Sequence, residues 1–131
     1  MANNLHIFFA EVRNLSPIEG FISERADWLE DKVNTDNIWT TPIVADNRNG
    51  LIMDGHHRFE VAKRLKLLVV PVIPWSYSEV EVYSLRDDEK VSVERIRENF
   101  SNGHLYPNKT AKHRFPFTLP ENLEIPLEKL K

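Results

Sequence analysis

The sequence predicts an α+β domain in which a small mixed sheet is flanked by helices, and three observations carry this expectation. Short runs rich in β-branched and aromatic residues, at Ile7–Val12, Ile43–Ala45, Leu51–Met53 and Val69–Ile73, read as strands. Between them lie stretches with apolar residues at helical spacing, from Ile18 to Val33 and from Phe59 to Leu65. A chain of 131 residues with 41% hydrophobic composition can build one compact core and is too short for two, so residues 1–131 are expected to form a single domain.

The elements follow in order. Ile7–Val12 is expected to be a buried first strand, ended by the turn-like Asn14-Leu15-Ser16-Pro17. Ser16 is placed to cap a helix starting at Pro17. Its apolar side would carry Ile18, Ile22, Leu29 and Val33, with Ala26 and Trp28 nearby; Glu24, Arg25, Asp27 and Glu30 would form the wet face, and Glu19 would lie in the first turn. Trp39 beside a strand is expected in the core. Ile43–Ala45 and Leu51–Met53 flank Asp46-Asn47-Arg48-Asn49-Gly50, a hairpin turn by composition. A helix follows Arg58, with Phe59, Ala62 and Leu65 on one side and Lys63, Arg64 and Lys66 near its negative dipole end. After the strand at Val69–Ile73, Val80–Ser84 reads as a shorter strand. Ser92 caps a helix turning Val93, Ile96 and Phe100 inward, and Asn102-Gly103 stops it. The remainder, 103–131, reads as a basic, turn-rich segment followed by a packing arm from Glu121.

Composition narrows the function. With no cysteine, disulfides and thiol nucleophiles are excluded. No apolar run is long enough to cross a bilayer, and Met1-Ala2-Asn3-Asn4 lacks the basic start of a secretion signal, so a cytoplasmic location is expected. A net charge of -3 and a pI near 5.9 argue against a broad nucleic-acid surface while leaving room for a small phosphorylated ligand.

The chemistry concentrates at Asp54-Gly55-His56-His57-Arg58, where an apolar strand passes through a polar turn into a helix. A helix starting near Gly55 directs unpaired N–H groups and a positive dipole end toward whatever lies above the strand, a setting suited to phosphate. Gly55 allows close approach of backbone, Asp54 can ligate magnesium or cap the helix, and His56, His57 and Arg58 carry donors for phosphate oxygens. Zinc is disfavoured, because adjacent histidines on a tight turn diverge and no compact second ligand pair occurs elsewhere. A second cluster of cations and hydroxyls, Lys109-Thr110-Ala111-Lys112-His113, is either another phosphate-binding element or a solvated basic loop.

Asp54-Gly55-His56-His57-Arg58 and the order of elements resemble the ParB-like/sulfiredoxin-like superfamily, and within it the free serine kinases, which phosphorylate the hydroxyl of free L-serine. Leu15-Ser16-Pro17-Ile18-Glu19 is similar to the segment that carries that branch's catalytic glutamate, and Lys109-Thr110-Ala111-Lys112-His113 is similar to its C-terminal Lys-Thr-Thr-Arg-His segment. Ala111 and Lys112 depart from the last pattern. The resemblance implies a ParB/sulfiredoxin-like fold and phosphoryl transfer from ATP or ADP to L-serine with Mg2+. It implies Glu19 as base, Asp54 as catalytic and metal-associated carboxylate, residues 54–58 around the nucleotide phosphates, and Lys109, Thr110, Lys112 and His113 on the acceptor. L-threonine or another small hydroxyl compound remains open as acceptor. A ParB-like nucleotide-binding or DNA-associated regulator is the alternative from another class. Sulfiredoxin chemistry is excluded, since it requires a cysteine in the phosphate motif.

Overall fold

Side chains alternate along the central strands, and both faces of the resulting sheet are covered. In the computed structural model, which describes residues 5–131, the chain has an α+β architecture with three helices around a mixed four-stranded sheet. Met1–Asn4, read above for the lack of a secretion signal, lie outside the described residues. No helix among the described residues is long and apolar enough to cross a membrane.

The sheet runs β1 (Phe8–Glu11), β5 (Val69–Trp75), β3 (Ile43–Asp46), β4 (Ile52–Asp54). β3 and β5 are parallel, and the outer pairs are antiparallel. Ile43, Ala45, Ile52, Val70 and Val72 face one apolar cluster, with Phe59, Val61 and Ala62 from α2 (His56–Arg64). Val44, Met53 and Ile73 face the other, with Ile96 from α3 (Val93–Ser101) and Tyr77. Burial on both faces explains why every residue of β3 is buried. Trp39, in β2 (Ile38–Trp39), is in the core as expected. β2 pairs with β8 (Ile125–Pro126), after which Leu127 and Leu130 are buried. Ser92 caps α3, its Oγ accepting from the N–H of Arg95 at 3.1 Å.

Three expectations are corrected. β1 is an edge strand, with Phe8 57% and Phe9 56% exposed, because it pairs with β5 on one side and with no strand among the described residues on the other. No helix begins at Pro17: α1 spans Ser23–Asp36, and residues 16–20 are irregular, with isolated bridges from Ser16 to Leu51 and from Glu19 to Tyr106. Their backbone groups have better partners elsewhere, since Ser16 donates to Gly50 O and accepts from Ile52 N–H, both at 2.9 Å, and Gly20 donates to Tyr106 O. Tertiary pairing overrides helical spacing here. Finally, the basic segment contains a strand, β7 (Ala111–Arg114), antiparallel to β6 (Glu81–Ser84), with Tyr83 opposite Lys112 and Val82 opposite His113. Stacked rings from His113 through Phe115 to Phe117, ending edge-on to Trp75 at 4.8 Å between centroids, fix this strand against the sheet.

α1 packs along α2. Arg64 joins them, its Nη1 donating to Asp27 Oδ1 at 2.7 Å and Glu30 Oε1 at 3.1 Å while its Nε donates to Glu60 Oε2 at 3.0 Å. This orients the opposite side of α1 toward the N-terminus of α2.

Candidate active site

A cleft of about 610 Å³ opens where β4 meets α2, and it gathers residues from four separate stretches of chain. Glu19, Asp54, Gly55, His56, His57, Arg58, Lys109, Lys112 and His113 all line it. Thr110 does not: its side chain is buried and its hydroxyl donates to Pro107 O at 2.6 Å. A main-chain acceptor three residues back has captured the hydroxyl that the sequence offered as a ligand donor.

The phosphate turn is built as its composition demands. Gly55 is the N-cap of α2 with φ 111°, and a Cβ there would stand 3.0 Å from Ile43 Cγ1. Neither conformation nor space suits another residue. No side chain caps the first turn of α2, so Asp54 is not the cap; it sits exposed at the end of β4. The first-turn N–H groups of α2 therefore remain available at the edge of the cleft.

The two histidines are engaged differently from the sequence expectation. His56 Nε2 accepts from the N–H of Ile18 at 3.1 Å, and His57 Nε2 accepts from the N–H of Ile22 at 3.0 Å. Each ring is thus neutral with Nε2 as acceptor, leaving only Nδ1–H as a donor for a ligand. Together they hold both ends of the segment carrying Glu19.

Glu19 links this segment to the C-terminal one. Its Oε1 accepts from the N–H of Lys109 at 3.2 Å, and its Oε2 accepts from the N–H groups of Thr110 at 3.2 Å and Ala111 at 2.9 Å. Burial pushes the Glu19 carboxyl above its ordinary range, and the three N–H groups and the nearby Arg86 pull it back only in part. Arg86 braces the same loop, donating from Nη2 to Asn108 O at 2.7 Å.

His113 is buried, with Nε2 3.1 Å from the hydroxyl of Tyr77. Desolvation lowers its pKa to about 4, and that of His56 to about 3, each from an ordinary 6.5. The folded protein then binds fewer protons at these sites than the unfolded chain. Stability present above pH 6.5 is lost as the pH falls, across a window reaching the folded values. Two such groups predict a loss of roughly 2–4 kcal/mol between pH 7 and pH 5. Urea unfolding at the two pH values measures this, and a flat profile would contradict neutral, buried rings.

Sequence reasoning missed Arg25, Trp28, Leu29, Met53, Leu85 and Ala111, which complete the lining. Arg25, Trp28 and Leu29 share one side of α1 at helical spacing, and Trp28 is 64% exposed there. The available sequence signals were that Trp28 falls outside the stripe Ile18-Ile22-Leu29-Val33 and that Leu85 stands after Tyr83-Ser84 where many of the proteins it resembles have tryptophan.

No family model matches the sequence, and neither does any curated protein. Solved structures do share its architecture. A free serine kinase carrying alanine in place of a glutamate, in complex with AMP, is 16% identical, with 98% of this chain and 95% of that one covered at a TM-score of 0.86. The same variant in complex with ADP matches equally well. A conserved hypothetical protein from Pyrococcus furiosus is 16% identical, with 98% and 99% covered at 0.85, and SbnI with a C-terminal truncation from Staphylococcus aureus is 14% identical, with 96% and 89% covered at 0.82. At such identities the likeness is one of fold, extending over nearly the whole length of each chain. The fold is that of the free serine kinases.

Proposed function

We propose that the protein is a ParB/sulfiredoxin-like small-molecule kinase, a single domain that transfers a phosphoryl group from ATP or ADP to the hydroxyl of free L-serine. The observation that carries this reading is the cleft itself: an uncapped helix N-terminus, a half-buried carboxylate and the cations Arg58, Lys109 and Lys112 converge on one space. The fold neighbours that hold AMP and ADP lend it support.

Phosphoryl transfer depends on positioning and charge neutralisation. In this reading the N–H groups of α2, Arg58 and the histidine Nδ1–H donors receive the nucleotide phosphates. Lys109, Lys112 and His113 border the acceptor. The serine Oγ attacks the terminal phosphorus, its proton passes to the Glu19 carboxylate, and the bond from phosphorus to the bridging oxygen breaks, releasing a nucleotide one phosphate shorter. A carboxylate whose pKa is raised by burial suits that role.

Among the described residues no cluster of three or more His, Cys, Asp or Glu could hold a metal on its own. Asp54, exposed at the cleft, fits Mg2+ bound through one carboxylate with phosphate and water supplying the other oxygens. When bound, the ion would neutralise phosphate charge.

The test is phosphorus NMR on purified protein with Mg2+, ATP or ADP, and L-serine or L-threonine. O-phosphoserine is the expected product, and the nucleotide consumed identifies the donor. Nucleotide binding without any phosphorylated amino acid would overturn the kinase reading in favour of a regulator.

A further inference from the structure

We propose that the backbone N–H groups of Lys109, Thr110 and Ala111 form an anion subsite for the carboxylate of the acceptor, which in the free protein is filled by the side chain of Glu19. The proposal rests on the kinase reading and specifies how its acceptor is held.

The geometry is that of a nest. Three successive N–H groups converge on one carboxylate at 2.9–3.2 Å, and Lys109 adopts φ 55°, a left-handed conformation that turns neighbouring amides to one side. The ligand is the main chain, since the Thr110 side chain is committed to Pro107. Positive charge surrounds the nest: Lys109 and Lys112 line the same cleft, and the Arg86 guanidinium braces the loop with its buried Nε lacking a hydrogen-bond partner. Such a site favours an anion whichever group provides it.

Glu19 cannot serve fully as clasp and base together. Three N–H groups occupy most of the roughly four lone-pair positions of its carboxylate. An incoming carboxylate has the same charge and shape, so exchange leaves every N–H satisfied and frees Glu19 to accept the hydroxyl proton. Only the side chain must move. The backbone on both sides of Glu19 stays fixed by Gly20 N–H to Tyr106 O at 2.9 Å, Tyr106 N–H to Ile18 O at 3.0 Å, and the two histidine bonds. An acceptor without a carboxylate would leave Glu19 in the nest, and water would release it no better.

Two measurements decide the matter. In the kinase assay, L-serine is expected to exceed L-serinamide and ethanolamine by at least ~100-fold in kcat/KM. Phosphorylation of L-serinamide within about threefold of L-serine would overturn the subsite while leaving the kinase reading intact. In amide-resolved NMR, L-serine and acetate are expected to shift the signals of residues 109–111, whereas ethanolamine is not. With Glu19→Gln the internal competitor loses its charge, and acetate is expected to bind roughly tenfold more tightly. If no acceptor is phosphorylated, the kinase reading falls and the wild-type titration still judges the subsite: amides that move with acetate sustain it, and amides that stay fixed refute it.

Discussion

Glu19→Gln is expected to lower phosphotransfer by about 100-fold or more, the scale on which a positioned general base contributes. Nucleotide affinity, measured by calorimetry, should stay within a few-fold of wild type, because in the proposed mechanism the α2 N–H groups and Arg58 receive the phosphates, whereas Glu19 takes the acceptor proton. The substitution has a structural side as well. A carboxylate accepts from all three N–H groups of residues 109–111, whereas glutamine keeps one acceptor oxygen and turns an NH2 toward the remaining N–H. A stability loss of roughly 1–3 kcal/mol should accompany the loss of turnover. Chemical denaturation and initial rates on the same preparation separate the two effects. Turnover preserved at the wild-type rate would remove Glu19 from the chemistry and leave it as a clasp alone.

Gly50→Ala is expected to be the most damaging single methyl in the fold. Gly50 has φ 70°, and a Cβ would lie 2.3 Å from the carbonyl oxygen of Asn14. That neighbour is backbone, so it yields only if the chain moves. Strain at positive φ and the forced displacement together should cost about 3 kcal/mol or more, a fall in Tm of roughly 10 °C. Gly103 supplies the control: its φ of 68° is nearly the same, yet a Cβ there meets nothing within 4 Å. Gly103→Ala should therefore cost about 1 kcal/mol, the conformational part alone. Equal melting temperatures for the two variants would refute the steric account. Gly50→Ala should also depress activity, because Gly50 O receives the N–H of Ser16 and so fixes the segment that leads to Glu19.

Much of this was legible where a local rule and the tertiary structure agree. The strand, polar turn and helix around Gly55 were readable because a left-handed glycine, the hydrophobic run before it and the helical spacing after it all point the same way. Ser92 followed its own chemistry into a cap. Errors arose where distant partners decided. Ile18 and Ile22 have the spacing of a helix face, but the groups that claim their backbone, His56 and His57, lie 38 and 35 residues away. The same is true of Ala111 to Arg114, where pairing with β6 made a strand out of a sequence without strand-like periodicity; the Thr110 hydroxyl, in contrast, turned to a near carbonyl, that of Pro107. Phe8 and Phe9 resembled a buried strand because composition cannot tell an edge from a centre. For the site, side-chain types identified most of the cleft lining, but the use of histidine rings as acceptors and of main-chain N–H groups as ligands leaves no trace in residue identity.

The clasp between Glu19 and Ala111 joins residues 92 positions apart, and this has a bearing on how the molecule comes into being. The four-stranded sheet, α1 and α2 are complete by Trp75. A chain made only that far contains the phosphate turn and both histidines, but still lacks Tyr77, Ile96, Tyr106, Leu127 and Leu130, which complete its two apolar clusters. It also lacks the partner for the half-buried Glu19 carboxylate, and that partner arrives with the last quarter of the sequence. Closing so long a loop is slow and entropically costly, so under the proposed function the complete site should be the final thing to form in folding. During synthesis, Glu19 would wait without its three amide partners until the last quarter of the chain has emerged.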